Sequence, residues 1–157
     1  MNTENIKKLA SFLEDLDSSR FNMGYWVSDT ETQDSCNYLD VNVCNTAGCI
    51  AGWALVLKSN SAIEILDEYD MEENMVFKDN QYHVEEITEV AGEWLGLTYK
   101  QALQLFTFHH DSLWYKYGHE YGLDYEYLRY QPDATSEIHP KHAADMLNRI
   151  LNNEVEF

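Results

Sequence analysis

Two cysteines, Cys44 and Cys49, lie in the stretch VCNTAGCIAGWALVL (43–57), where small residues lead into an apolar run. A thiol beside a helix N-terminus has its thiolate favoured by the positive end of the helix dipole, which makes Cys44 the candidate nucleophile. Such a thiol also needs a base. The six histidines are scattered, so no motif pairs one of them with Cys44, and Cys49, one turn further in, reads as a small core residue.

The same stretch invites two other chemistries. As the opening amides of a helix capped by Asn45 or Thr46, Thr46, Ala47 and Gly48 form a potential anion site for a nucleotide-like ligand, with Trp26 and Trp53 as aromatic walls. No lysine follows the glycines and there is no GxxxxGK[ST] pattern, so a P-loop is excluded. The competing explanation is packing: Ala47 and Ala51, and Gly48 and Gly52, are each four apart, which on one helix leaves a face without bulk for a close neighbour. Packing is the stronger of the two. Zinc would need Cys36, Cys44 and Cys49 to be joined by His109, His110, His119, His139 or His142, and no C-x-x-C pair supports it, so no metal or cofactor is expected. His139 and His142 flank Pro140, and His109-His110 close an aromatic helix; both are positions that capping explains.

The acidic runs LDEYDMEE (66–73), VEEITEVAGE (84–93) and GLDYEYLRY (122–130) are spaced for solvated faces, not for an acid and base in a cleft. Tyrosines interleave with them, and tyrosine is a favoured interface anchor. Asp67, Glu68, Tyr69, Asp70, Glu72 and Glu73, with Tyr125, Glu126 and Tyr127, are therefore the candidate contacts for a partner with a basic surface. LGLTYKQALQLF (95–106) has the rhythm of a helix-turn-helix, yet its second helix offers only Lys100, Gln101 and Gln104 before turning apolar. The formal charge of −18, from 28 acidic and 10 basic residues, opposes phosphate backbones and anionic membranes, so direct nucleic-acid binding is not expected.

Several elements must position these residues. NIKKLASFLEDL (5–16) places Ile6, Leu9, Ala10, Leu13 and Leu16 on one face of a first helix. Positions 17–40 lose that period and read as a long loop pinned by Phe21, Met23, Tyr25 and Trp26. A buried central helix over Ala47 to Lys58 follows, then a helical pattern from Ser61 to Glu73 through Ile63, Leu66 and Tyr69. MVFKDNQYHV (75–84) reads as a hairpin around Lys78-Asp79-Asn80-Gln81. Ile87, Val90, Ala91, Trp94 and Leu95 share a helix face that Gly96 ends in a left-handed conformation; Thr98 and Gln101 fit a capping box; Ala102, Leu105 and Phe106 continue the buried side. Gly118 and Gly122 are expected breaks. Pro140 opens a closing helix striped by Ala143, Leu147, Ile150 and Leu151.

At 157 residues, 45% hydrophobic and 13% aromatic, residues 1–157 are expected to fold as a single domain around one core. The expected class is mainly α: a compact helical domain with a small β-hairpin, an α+β arrangement being the variant. No apolar run approaches the roughly 20 residues of a membrane span, the start lacks the apolar block of a secretion signal, and three cysteines without disulfide spacing suit a reducing, cytoplasmic setting.

FNMGYW (21–26), CNTAGCIAGWAL (44–55), WLGLTYKQALQLF (94–106) and the ending ILNNEVEF (150–157) together resemble a group of small bacterial and phage proteins that carry a CxTxxCxxGxA segment and an LGL-type helix turn. That resemblance brings no catalytic residues, and it implies a phage or mobile-element setting in a bacterial cell. The expected function is a non-catalytic acidic accessory protein that binds and modulates a host or partner protein. The alternatives are the anion binder at Thr46 to Gly48 and an enzyme built on Cys44.

Overall fold

The computed structural model describes residues 1–24, 27–29, 38–40, 42, 46–60, 63–67, 73–77, 80–124 and 138–157. The fold is mainly helical. Among the described residues there are six α-helices: α1 (Thr3–Asp15), α2 (Ile50–Ser59), α3 (Val84–Leu95), α4 (Tyr99–Phe106), α5 (Leu113–Tyr117) and α6 (Pro140–Leu151). Short 3-10 turns at Ser18–Arg20 and Gly118–Tyr121 extend the helical content. No helix among the described residues is long and apolar enough to cross a membrane.

α1 begins where Asn2 accepts the Asn5 amide (3.2 Å), and it buries Ile6, Leu9, Ala10 and Leu13, the face its sequence period marks. Its main partner is α6, which buries Ala143, Ala144, Met146, Leu147 and Ile150. α2 is buried from Ile50 through Val56 and packs on α3. It ends at Asn60, whose φ of 53° reverses the chain. α3 ends at Gly96 (φ 67°), where a Cβ would stand 2.4 Å from Asn2 N and 2.8 Å from Met1 C. That close approach lets Asn2 N donate to Leu95 O (2.8 Å) and Asn5 Nδ2 to Trp94 O (2.6 Å), so the first residues satisfy the carbonyls that α3 leaves open. Thr98 and Gln101 then form a reciprocal capping box at α4. α5 is held from within, Trp114 Nε1 donating to Leu105 O at 2.7 Å in the core.

The β structure is larger than the sequence suggests. β5 (Glu73–Phe77) and β6 (Asn80–His83) pair antiparallel, Phe77 opposite Asn80, which is the expected hairpin, with Asn80 and Gln81 in the strand and positions 78 and 79 outside the described residues. β4 (Ile63–Asp67) and β2 (Tyr38–Leu39) extend it to a four-stranded sheet of order β2-β4-β5-β6. The helical pattern expected from Ser61 is thus corrected to a strand over Ile63–Asp67. Ile63, Glu64, Ile65, Leu66 and Asp67 combine β-branched residues with near-alternation, and pairing with β5 outweighs the weak helical period. A separate two-stranded ribbon joins β1 (Val27–Asp29) to β3 (Thr46–Gly48), so the span read as loop also contains strands. Phe21 and Met23 are buried there as anchors, while Tyr25 and Trp26 lie outside the described residues.

Candidate functional site

The segment around Cys49 is the first to be placed. Thr46, Ala47 and Gly48 are not the start of a helix: they pair with Asp29, Ser28 and Val27, and Gly48 O also accepts from Asn22 N at 3.3 Å. Arg20 reinforces the ribbon, its Nε donating to Thr46 O (3.2 Å), a second nitrogen to Asp40 O, and its guanidinium lying 5.0 Å over the Trp53 ring. Helix α2 begins beyond, at Ile50, with Cys49 as its cap and Cys49 Sγ accepting Gly52 N at 3.4 Å. The dipole that an anion would use therefore starts at a buried thiol, and Thr46 to Gly48, expected as the ligand-binding helix start, belong to a strand. Nor does Trp53 form a wall. Its side chain is fully buried, with Nε1 donating to Arg20 O at 3.1 Å and its ring against Phe12.

The pairs Ala47/Ala51 and Gly48/Gly52 do not share a helix face, since each straddles the strand-to-helix corner. Small size there fits a chain folding tightly back on itself, with all of 46–52 buried. Burial pushes the Cys49 thiol up to about 11, so it stays protonated and inert near neutrality. Cys44 and Cys36 lie outside the described residues, and with them the nucleophile and zinc expectations.

The acidic strip is placed in part. Asp67 and Glu73 are direct cross-strand partners at one end of the β4–β5 pair. Glu68, Tyr69, Asp70 and Glu72, and likewise Tyr125, Glu126 and Tyr127, lie outside the described residues. Among the described residues β2 pairs only with Ile63 and Glu64 and β6 only with Asn74 to Phe77, so the outer ladders stop short of Asp67 and Glu73.

One titratable cluster escaped the sequence reading. At the start of α6, His139 is the cap residue, its Nδ1 accepting from Lys141 N (3.3 Å), and His142 Nδ1 accepts from His139 N (3.3 Å). The Tyr121 ring stacks on His142, centroids 5.0 Å apart and planes 20° apart, and its hydroxyl donates to Asp145 Oδ2 at 2.7 Å. One turn on, Arg149 grips Glu120 through two nitrogens (3.0 and 3.1 Å) and lies 5.1 Å over the Tyr117 ring. Tyr117 in turn accepts Glu156 N at 3.1 Å. Burial pushes the Tyr121 phenol up to about 12, with Arg149 opposing the rise and Asp145 adding to it. The spacings 142, 145 and 149 were visible as one helix face; their partners from Glu120 and Tyr121 were not, because that contact is distant in sequence.

A third cluster offers metal ligands but not a ready site. His109, His110 and Asp111 bring one donor atom each within 4.8 Å of one another. His109 Nδ1 accepts the Asp111 amide at 3.1 Å, so the neutral ring carries its proton on Nε2 and has no lone pair free for a cation. His109 closes the turn after α4 and not the helix itself, whose C-cap is Thr107, so the expected helix-capping role is corrected to a turn contact.

A scan of protein-family models, a search of curated proteins and a search of solved structures each returned no match.

Proposed function

We propose that this chain is a non-catalytic acidic interaction protein that binds and modulates a partner with a basic surface, in the bacterial cytoplasm and in the phage or mobile-element setting its sequence resembles. The observation that carries this reading is the β4–β5 end: Asp67 faces Glu73, and the five positions between them add Glu68, Asp70 and Glu72 by sequence, in a chain of net charge −18. A dense acidic run in a chain of this charge attracts a cationic partner, and long-range attraction of that sign speeds association. Tyr69 supplies the amphipathic anchor that such an interface favours.

The test is a five-site charge reversal, with Asp67, Glu68, Asp70, Glu72 and Glu73 each replaced by Lys, used beside the wild type to capture partners from a bacterial lysate. A basic protein retained by the wild type, released by raised salt and not retained by the reversed variant supports the reading. Equal capture by both, with circular dichroism showing both folded, refutes it.

A further inference from the structure

We propose that the start of α6 is a proton-operated clasp: with His139 and His142 neutral, their Nδ1 lone pairs cap the helix and the Tyr121 turn is held against His142, and protonation undoes both. The geometry sets the mechanism. Pro140 at the first helical position has no N–H, and His142 N already donates to His139 O at 2.9 Å, so the donors left for side chains at this end are the amides of His139 and Lys141. Both are satisfied by imidazole nitrogens, Lys141 N by His139 and His139 N by His142. An acceptor at Nδ1 requires an unprotonated nitrogen, which places the neutral proton of each ring on Nε2. Taking up a proton from solvent converts that acceptor into an N–H donor pointed at another N–H donor. It also sets a cation at the positive end of the helix dipole.

The groups facing His142 decide the direction. From the 3-10 turn comes Tyr121, uncharged near neutrality, with Glu120 beside it held by Arg149. From α6 itself come His139 and Asp145, with Lys141 exposed in the first turn. The buried face of α1, which packs along α6, is apolar: Ile6, Leu9, Ala10 and Leu13. Partial burial first, and His139 second, hold the His142 imidazole below the ordinary histidine value of 6.5, and Asp145 opposes them. A group depressed in the folded state contributes stability that is fully present above its unfolded value and is lost as pH falls below about 6.5 towards the folded one. That window is where an imidazole, and not a carboxylate, ordinarily changes its charge.

The experiment is NMR on the isotope-labelled full chain between about pH 7.5 and 5.5, following the histidine ring shifts, the Tyr121–His142 ring contact and amide-exchange protection. Protection at His139 and Lys141 is expected to fall about fivefold or more, roughly the equilibrium factor of one lost cap, as the ring contact disappears. The Gln101 amide, capped by Thr98, should hold. If His142 titrates while those amides and the ring contact stay unchanged, the clasp is refuted. A second variant, His139→Asn combined with His142→Gln, supplies a capping box that protons do not affect. It is expected to keep both amides protected at pH 5.5; a loss equal to that of the wild type would place the pH effect elsewhere and overturn the proposal.

Discussion

The N-termini of α4 and α6 are closed by the same reciprocal pattern built from different chemistry. At α4, Thr98 Oγ1 accepts Gln101 N (3.3 Å) and Gln101 Oε1 accepts Thr98 N (3.0 Å). At α6 the two acceptors are imidazole nitrogens, with Tyr121 stacked on one of them. A hydroxyl and an amide do the same work at every pH near neutrality, whereas an imidazole does it only while neutral. The comparison separates what a cap contributes to a helix from what its ionisation adds.

The largest effect should come from attacking the turn that leads into the Thr98 box. Gly96→Val puts a β-branched side chain at φ 67° and drives Cβ against the backbone of Met1 and Asn2, so urea unfolding should show a loss of about 3 kcal/mol or more. A loss below about 1 kcal/mol would mean that the first residues do not dock on α3 as described. Next in size are the caps themselves. Thr98→Ala should cost about 1 kcal/mol equally at pH 8 and at pH 5.5. His142→Ala should cost about as much at pH 8 and progressively less below pH 6.5, because the wild-type stabilisation is itself lost as the ring protonates. Parallel pH dependence in the two variants would erase the distinction between the boxes.

Smaller still is Tyr121→Phe, which keeps the stack on His142 and removes the hydrogen bond to Asp145. About 0.5–1 kcal/mol is expected from denaturant curves at pH 8. The smallest effect concerns the thiol cap of α2. With its thiol raised to about 11 and buried, Cys49 should stay unmodified when the native protein is treated with iodoacetamide at pH 8 and peptide-mapped, and should react once unfolded in urea. Native alkylation at Cys49 would show the strand-to-helix corner opening on its own.

The legible parts of this fold were those coded by neighbours in sequence. Gly96, the Thr98/Gln101 pair and Pro140 each act within one helical turn, and each stands where local rules put it. The stripes of α1, α3 and α6 were equally local, and Ile6, Leu9, Ile87, Ala91, Ala143 and Leu147 are all buried. Sequence patterns mislead where pairing with another strand competes with a local period. Thr46–Gly48 lies beside Val27–Asp29, and Ile63–Asp67 beside Glu73–Phe77, and in both places ladder hydrogen bonds settle a backbone that helix propensity left undecided. The candidate site was legible as chemistry and not as place. His139 and His142 could be read as capping residues, while Tyr121, which arrives from another element, had no signal in the sequence around them.

Composition, helical stripes and the punctuating glycines and prolines determined a mainly helical chain of strong negative charge, because those properties are carried by single residues and their near neighbours. Tertiary structure decided that Thr46–Gly48 would be a strand, that Asp67 would face Glu73, and that a tyrosine would lean on a capping histidine. Each of these is a meeting of separate elements, fixed by strand pairing or by ring contact that no single-element pattern specifies.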